Sequence, residues 1–225
     1  MNENKEFYIF GVMDGHGDYG HLVSSYLKKL FTKICTFNST KFNFQKIPDL
    51  LINAFRANEY KLIKSFFQEA ENSLERQPGL GYPNCNLSGS TCNLVFIVEN
   101  SIICANVGDS RAILITENNE IIHLSNDHKP DVLSENRRII LSGGKVERSI
   151  FNNVFGPYRV WHKSGTYPGL AVSRSIGDYL AKQIGVISEP EIQEFNLTSI
   201  KAKCVVIASD GIWEYLQNEE VGKIV

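Results

Sequence analysis

Three acidic strand ends carry the chemistry this sequence could perform. In Phe10-Gly11-Val12-Met13-Asp14-Gly15-His16-Gly17, an apolar run from Phe7 to Met13 delivers an Asp to the point where the pattern turns polar and glycine-rich. A carboxylate, a glycine carbonyl and an imidazole then follow one another. Carboxylate and carbonyl oxygens suit hard divalent cations, and an imidazole can move a proton near neutral pH. Taken alone, Asp14-Gly15 reads equally well as a hairpin turn, because Asp-Gly punctuates strands generally. The plan recurs in Val205-Val206-Ile207-Ala208-Ser209-Asp210-Gly211, and Asp109 follows Asn106-Val107-Gly108. Three Asp side chains at the ends of buried strands could converge on one edge of a sandwich. An oxygen-only set fits Mg²⁺ or Mn²⁺ rather than zinc, which favours His and Cys. Two such ions can clamp a phosphoryl group and activate a water. The competing reading makes each Asp a turn residue, and the recurrence, with His16 beside the first, weighs against it.

The elements that must position these residues are legible from periodicity. Residues 6–13 read as a buried strand. His21 to Ile34 carries Leu22, Val23, Tyr26, Leu27, Leu30 and Phe31 at helical spacing. Pro48 opens a second helix over roughly 49–75. Thr91–Val98, Ser101–Val107 and Ala112–Thr116 are β-type runs joined by short turns, which predicts an antiparallel meander. Val132–Leu141 is a short helix closed by Gly143-Gly144. Residues 145–170 read as short strands with much loop, and 171–190 as a surface loop with a helical turn. Glu191–Phe195 and Cys204–Ser209 are strands, and two short helical segments reach Val225. Helices first and strands afterwards argue for an α+β fold with helices outside antiparallel sheets.

Composition bounds the function. At 225 residues, 43% hydrophobic and 21% charged, the chain can bury a good core in one domain. A net charge of -2 and a pI near 6.2 give no signature of nucleic-acid or anionic-membrane binding. The sequence shows neither a membrane-span run nor a signal peptide. The five cysteines, Cys35, Cys85, Cys92, Cys104 and Cys204, include no CxxC pair, and most sit in or beside apolar runs. Reduced, structural thiols favour an intracellular protein, cytoplasmic or nuclear.

The motifs resemble those of the metal-dependent serine/threonine protein phosphatases of the 2C type (PP2C, or PPM). They run in family order through Phe10 to Gly17, Ser88-Gly89-Ser90-Thr91, Ala105-Asn106-Val107-Gly108-Asp109-Ser110-Arg111-Ala112, Asp127-His128-Lys129-Pro130, Gly143-Gly144-Lys145-Val146, Gly169 to Asp178, Ser188-Glu189-Pro190-Glu191 and Ala208-Ser209-Asp210-Gly211-Ile212-Trp213. The resemblance implies a four-layer α-β-β-α sandwich of two antiparallel sheets with a binuclear Mn²⁺/Mg²⁺ centre at one end. Asp14 would bridge the metals, the Gly15 carbonyl would ligate one of them and Asp210 the other, and Asp109 would serve a third, weaker site. His16 would protonate the leaving seryl or threonyl oxygen as a metal-activated water attacks directly, without a phosphoenzyme. Phosphoproteins would be the substrates. Gly89 and Gly108 would permit tight backbone, Arg174 and Asp178 would form a structural pair, Arg111 would be an anchor, and His128 would stabilise a turn. His162, beside Trp161, falls where the family varies and would bear on substrate contact.

Departures from the pattern set further expectations. Only Met1 to Glu6 precede the first motif strand, and Glu3 and Glu6 fit neither the phosphate-binding Arg nor the acidic pair that the family brings there. No Arg-Asp-Asn motif follows, and Glu214 stands where Asp is usual after Trp213, so that only with its extra methylene would it reach the weak third metal site. The expectation is therefore a single incomplete phosphatase domain over 1–225, truncated at both ends. Such a chain should have weak or no activity and should self-associate through exposed strand edges. The alternative function is a pseudophosphatase scaffold that keeps the fold. Another phosphohydrolase class fits none of the ordered motifs.

Overall fold

The computed structural model describes residues 7–40, 63–75, 84–151, 153–165 and 167–225; of residue 7, residues 33–40 and residue 151 it describes the backbone alone. Strand β1 (Phe7–Val12) joins β4 (Cys92–Val98), β5 (Ser101–Val107) and β12 (Glu191–Asn196) in a sheet ordered β1-β4-β5-β12. A second sheet is ordered β13-β6-β7, from β6 (Arg111–Thr116), β7 (Ile121–His123) and β13 (Ala202–Ala208). Every pairing in both is antiparallel.

The two-residue side-chain period explains the layers. On β4 and β5, Leu94, Phe96, Val98, Ile103, Ala105 and Val107 face α1 (Gly20–Thr40) and α2 (63–75), where Val23, Leu27, Ile63 and Phe67 cover them. The intervening Val95, Ile102 and Cys104 face the second sheet and meet Ala112 and Leu114 of β6. On the far side, Ile113 and Ile115 lie under Trp213 of α5 (Asp210–Trp213) and Val221 of α6 (Asn218–Ile224). Strands apolar on both faces therefore sit between two covered sheets, giving the four-layer α-β-β-α sandwich. Leu114, fully buried between the sheets, is expected to cost about 2–5 kcal/mol when replaced by Ala. Urea unfolding checks this.

A smaller sheet, β11-β3-β2, links Ile176–Gly177, Gly89–Ser90 and Gly15–His16 at the end of the sandwich. A third core of Ile139, Val160, Ala181, Ile184 and Val186 joins α3 (Leu133–Leu141) to β9 (Val154–His162) and α4 (Tyr179–Lys182). Among the described residues, no helix is long and apolar enough to cross a membrane.

Several expectations need correction. The meander is broken, because β6 leaves β5 and pairs with β13 and β7 in the other sheet. The turn at Gly108, with φ +101°, redirects the chain there. Residues 145–170 are not mainly loop: β8 (Gly144–Phe151) and β9 form a long hairpin, and β10 (Pro168–Leu170) adds a third strand. Much of β9 is exposed and Gly156-Pro157 interrupts it, so no amphipathic alternation announces it. Residues 171–190 do contain a helical turn, α4. They are no surface loop, since Ser173, Ser175, Ile176 and Asp178 are buried. Helix α1 continues past Ile34, and of the helix expected over 49–75, residues 49–62 lie outside the described residues.

Candidate metal and catalytic site

The sequence places Asp14 just past β1, where the backbone is tied across to Thr91, the residue before β4. Its N–H donates to Thr91 Oγ1 at 3.0 Å, and the Thr91 N–H donates to its carbonyl at 2.9 Å. Thr91 Oγ1 also shares a 2.7 Å hydrogen bond with Ser110 Oγ, beside Asp109. One threonine thus couples two of the acidic strand ends. A Cβ on Gly108 would stand 2.6 Å from the Thr91 methyl, and the positive φ disfavours other residues as well. The Asp109 turn is further held by His128, whose Nδ1 accepts from Gly108 N–H at 3.1 Å, and by Asn106, which donates to the Gly108 carbonyl at 3.0 Å. His128 is buried and stabilises this turn, as expected.

Asp14, His16, Asp109, Asp178, Asp210 and Arg159 all line one cleft of about 450 Å³. Asp14 and Asp210 both line this cleft, close enough for their carboxyl groups to act on each other. Burial and the neighbouring Asp210 and Asp109 groups together push the Asp14 carboxyl up to about 6. The Asp109 carboxylate pairs instead with the Lys129 ammonium. Among the described residues, no group of three or more His, Cys, Asp and Glu side chains is arranged to hold a metal ion. The Asp14–Asp210 pair, however, has the donor chemistry of a hard cation: two oxygen ligands whose mutual repulsion a cation would relieve.

His16 hydrogen-bonds through Nε2 to Asp178 Oδ2 at 2.6 Å. Burial opposes the charged ring, but Asp178, with Asp109 and Asp14 beyond it, outweighs that and raises the imidazole above its usual value. Arg159 donates to the Gly169 carbonyl at 2.7 Å while its guanidinium lines the cleft.

Other expected residues lie elsewhere. Glu214 is exposed at the end of α5 and is absent from the cleft lining. Arg111 is an anchor: it grips Asp127 through Nε and Nη2 at 2.8 and 2.7 Å, reaches Asn218, and stacks 5.2 Å from the Trp213 ring centre. His162 stacks on Tyr167, with ring centroids 5.5 Å apart. The expected Arg174–Asp178 pair does not form, because Arg174 binds Glu135 and Asp178 binds His16. Cys85, Cys92, Cys104 and Cys204 form no disulfide with one another, and none lines the cleft.

Sequence reasoning missed Thr91, Lys129, Asp178 and Arg159 as neighbours of the centre. Lys129 and Asp178 stood inside recognised motifs, but spacing alone does not reveal that they fold back onto Asp109 and His16.

Residues 1–225 match the family Protein phosphatase 2C. The chain belongs to the protein phosphatase 2C family. Among similar proteins is "Probable protein phosphatase 2C 72" of Arabidopsis thaliana, 35% identical over 221 residues, which cover 96% of this chain and 64% of the relative. "Probable protein phosphatase 2C 64" of Oryza sativa subsp. japonica is 34% identical over 222 residues, covering 96% of this chain and 49% of that one. The chain thus spans less than two thirds of the length of these relatives. The crystal structure of a serine-threonine phosphatase 2C from Toxoplasma gondii shares the fold, with a TM-score of 0.66 at 22% identity over 100% of this chain and 74% of that chain. A Caenorhabditis elegans sex determining protein, at TM-score 0.62 and 21% identity, shares it over 97% of this phosphatase 2C chain and 47% of its own. Metal dependence on Mn²⁺ or Mg²⁺ is a property of the family.

Proposed function

We propose that this chain carries the cation-holding centre of a protein serine/threonine phosphatase, which hydrolyses phosphoserine and phosphothreonine in proteins by direct attack of water. The gathering of Asp14, Asp109 and Asp210 with His16 in one cleft is the observation that carries the reading. A scaffold has no use for crowded carboxylates beside a proton donor. Asp14, the Gly15 carbonyl and Asp210 would hold Mn²⁺ or Mg²⁺. Asp109 would join at a weaker site when its ammonium partner Lys129 gives way, and the exposed Glu214 at most through water. When bound, the cations supply a Lewis acid for the phosphoryl oxygens and lower the pKa of water.

The chain's own groups do the rest. Asp14 and Asp210 fix where positive charge sits against the substrate. Arg159, which lines the same cleft, offers the phosphate a guanidinium. His16 gives a proton to the seryl or threonyl oxygen as its bond to phosphorus breaks, so that an alcohol leaves rather than an alkoxide. The outer edges of β1 and β13 have no strand partner among the described residues. They suit pairing with a second copy, and a strictly monomeric sedimentation profile would exclude it.

Phosphate release from a phosphothreonine peptide tests the function. Release is expected with Mn²⁺ and should stop with a chelator. Undetectable release at saturating Mn²⁺ and high protein concentration would leave the scaffold reading in its place.

A further inference from the structure

We propose that Asp178 is a positioning residue for His16, and that Gly89 is a glycine so that the Asp178 carboxylate can cross the sheet to reach the ring. The proposal rests on the phosphatase reading for its kinetic consequence and on geometry alone for its structural one.

The small sheet is ordered β11-β3-β2, with Gly89 in register with His16 on one side and Gly177 on the other. Asp178 follows Gly177 directly, so its side chain must pass over the central strand to make the 2.6 Å contact with His16 Nε2. A Cβ on Gly89 would stand 2.1 Å from Asp178 Oδ2, in the space the carboxylate occupies. Any side chain at position 89 therefore evicts the carboxylate.

The backbone of Asp178 is over-determined. It is left-handed, at φ 54° and ψ 49°, and its N–H donates to the Ser88 carbonyl at 3.0 Å. The preceding Gly177 N–H donates to Glu71 Oε2 at 3.1 Å, and Glu71 Oε1 lies 3.5 Å from the half-buried Lys182 ammonium. Helices α2 and α4 thus hold the turn from behind.

The bland reading is that Asp178 caps α4. It occupies the N-cap position, yet its side chain makes no capping hydrogen bond there. The carboxylate goes to His16 and is only 2% exposed.

A carboxylate only accepts hydrogen bonds, so Asp178 requires the proton of the neutral ring to sit on Nε2. That leaves Nδ1 as the nitrogen able to take up and deliver a second proton. When the substrate bond breaks, the phosphorus gains the water oxygen, the seryl or threonyl oxygen leaves with a proton from the imidazolium, and solvent reprotonates the ring. Fixing the tautomer and ring plane matters in proportion to how much the leaving oxygen needs that proton.

Two substrates separate this role from a structural one. A phosphothreonine peptide expels a poor alkoxide, whereas p-nitrophenyl phosphate expels a phenolate that leaves without a proton. Asp178→Asn keeps size and tolerates the left-handed backbone. It is expected to lower peptide turnover about 100-fold, within the range general acids supply, while p-nitrophenyl phosphate turnover changes by less than about threefold. Gly89→Ala is expected to show the same split. Equal losses on both substrates, or no loss on either, would overturn the proposal.

If the unaltered chain hydrolyses neither substrate, the phosphatase reading fails separately, and long-range ¹H–¹⁵N spectra decide the positioning. His16 signals, identified by their loss in His16→Gln, should report a proton held on Nε2. In Asp178→Asn, whose amide can present either donor or acceptor, they should report mixed tautomers. An unchanged spectrum would overturn the proposal without any turnover being measured.

Discussion

Asp14→Asn is expected to raise the melting temperature of the metal-free protein by a few degrees and to abolish the further rise that Mn²⁺ produces in the unaltered chain. Asp14 shares the cleft with Asp210 and Asp109, and burial together with both neighbouring charges works against its carboxylate. Without a cation, removing one of these charges relieves the crowding. With a cation, the same change removes a ligand. A ligand that binds only the folded state stabilises by about 2.7 kcal/mol at a concentration 100 times its dissociation constant. For a chain of this size that is worth roughly 5–10 °C. Melting curves with and without Mn²⁺ give both signs in one experiment. Phosphopeptide turnover should fall at least about 100-fold, as when a main electrostatic stabiliser is lost. A variant that melts lower without metal, or still gains with Mn²⁺, would speak against a self-repelling cation clamp.

The second large effect lies away from the cleft. Glu135, its side chain 3% exposed on α3, binds Arg174 at 2.8 Å, Arg138 at 2.7 Å and Ser173 Oγ at 2.7 Å. It thereby fastens the 173–178 segment that presents Asp178. Glu135→Ala takes the carboxylate from two guanidinium groups, leaving them only backbone carbonyls, and should cost about 3–5 kcal/mol, the range for breaking a buried ion pair by removing one partner. Urea midpoints check it.

The pH dependence has a definite sign. Burial works against the charge, but Arg174, Arg138 and Ser173 outweigh it and hold the Glu135 carboxyl well below its usual value of 4.5. A carboxyl depressed in the folded state contributes its full stability above the unfolded value and loses it as pH falls towards the folded one. The gap between Glu135→Ala and the unaltered chain should therefore be widest at neutral pH and shrink below about pH 4.

The central layers were legible because β4, β5 and β6 are apolar on both faces, and only a sheet covered on both sides suits such runs. The three acidic strand ends were legible for a related reason: an Asp that ends an apolar run is conspicuous. Register and partner choice were not. The strand pattern does not say that β6 should cross to the second sheet, since a strand apolar on both faces fits either; the crossing follows the φ +101° turn at Gly108.

The β8–β9 hairpin escaped notice because Ile150, Val154 and Phe155 are exposed, so hydrophobic periodicity carries no signal. A positive φ of 62° at Asn153 marks its turn, and Asn152-Asn153 was the available clue. Asp178 was assigned to the wrong partner because it shares the Gly169 to Asp178 motif with Arg174, and nearness in the chain suggested a pair. The His16 contact spans 162 positions and depends on the absence of a side chain at Gly89.

The most direct test of the cation clamp is a calorimetric titration of the unaltered chain and of Asp210→Asn with Mn²⁺ at neutral pH. Saturable binding to the unaltered chain, weakened at least about tenfold by Asp210→Asn, is the predicted result. Absence of binding, or binding that Asp210→Asn leaves unchanged, would contradict it.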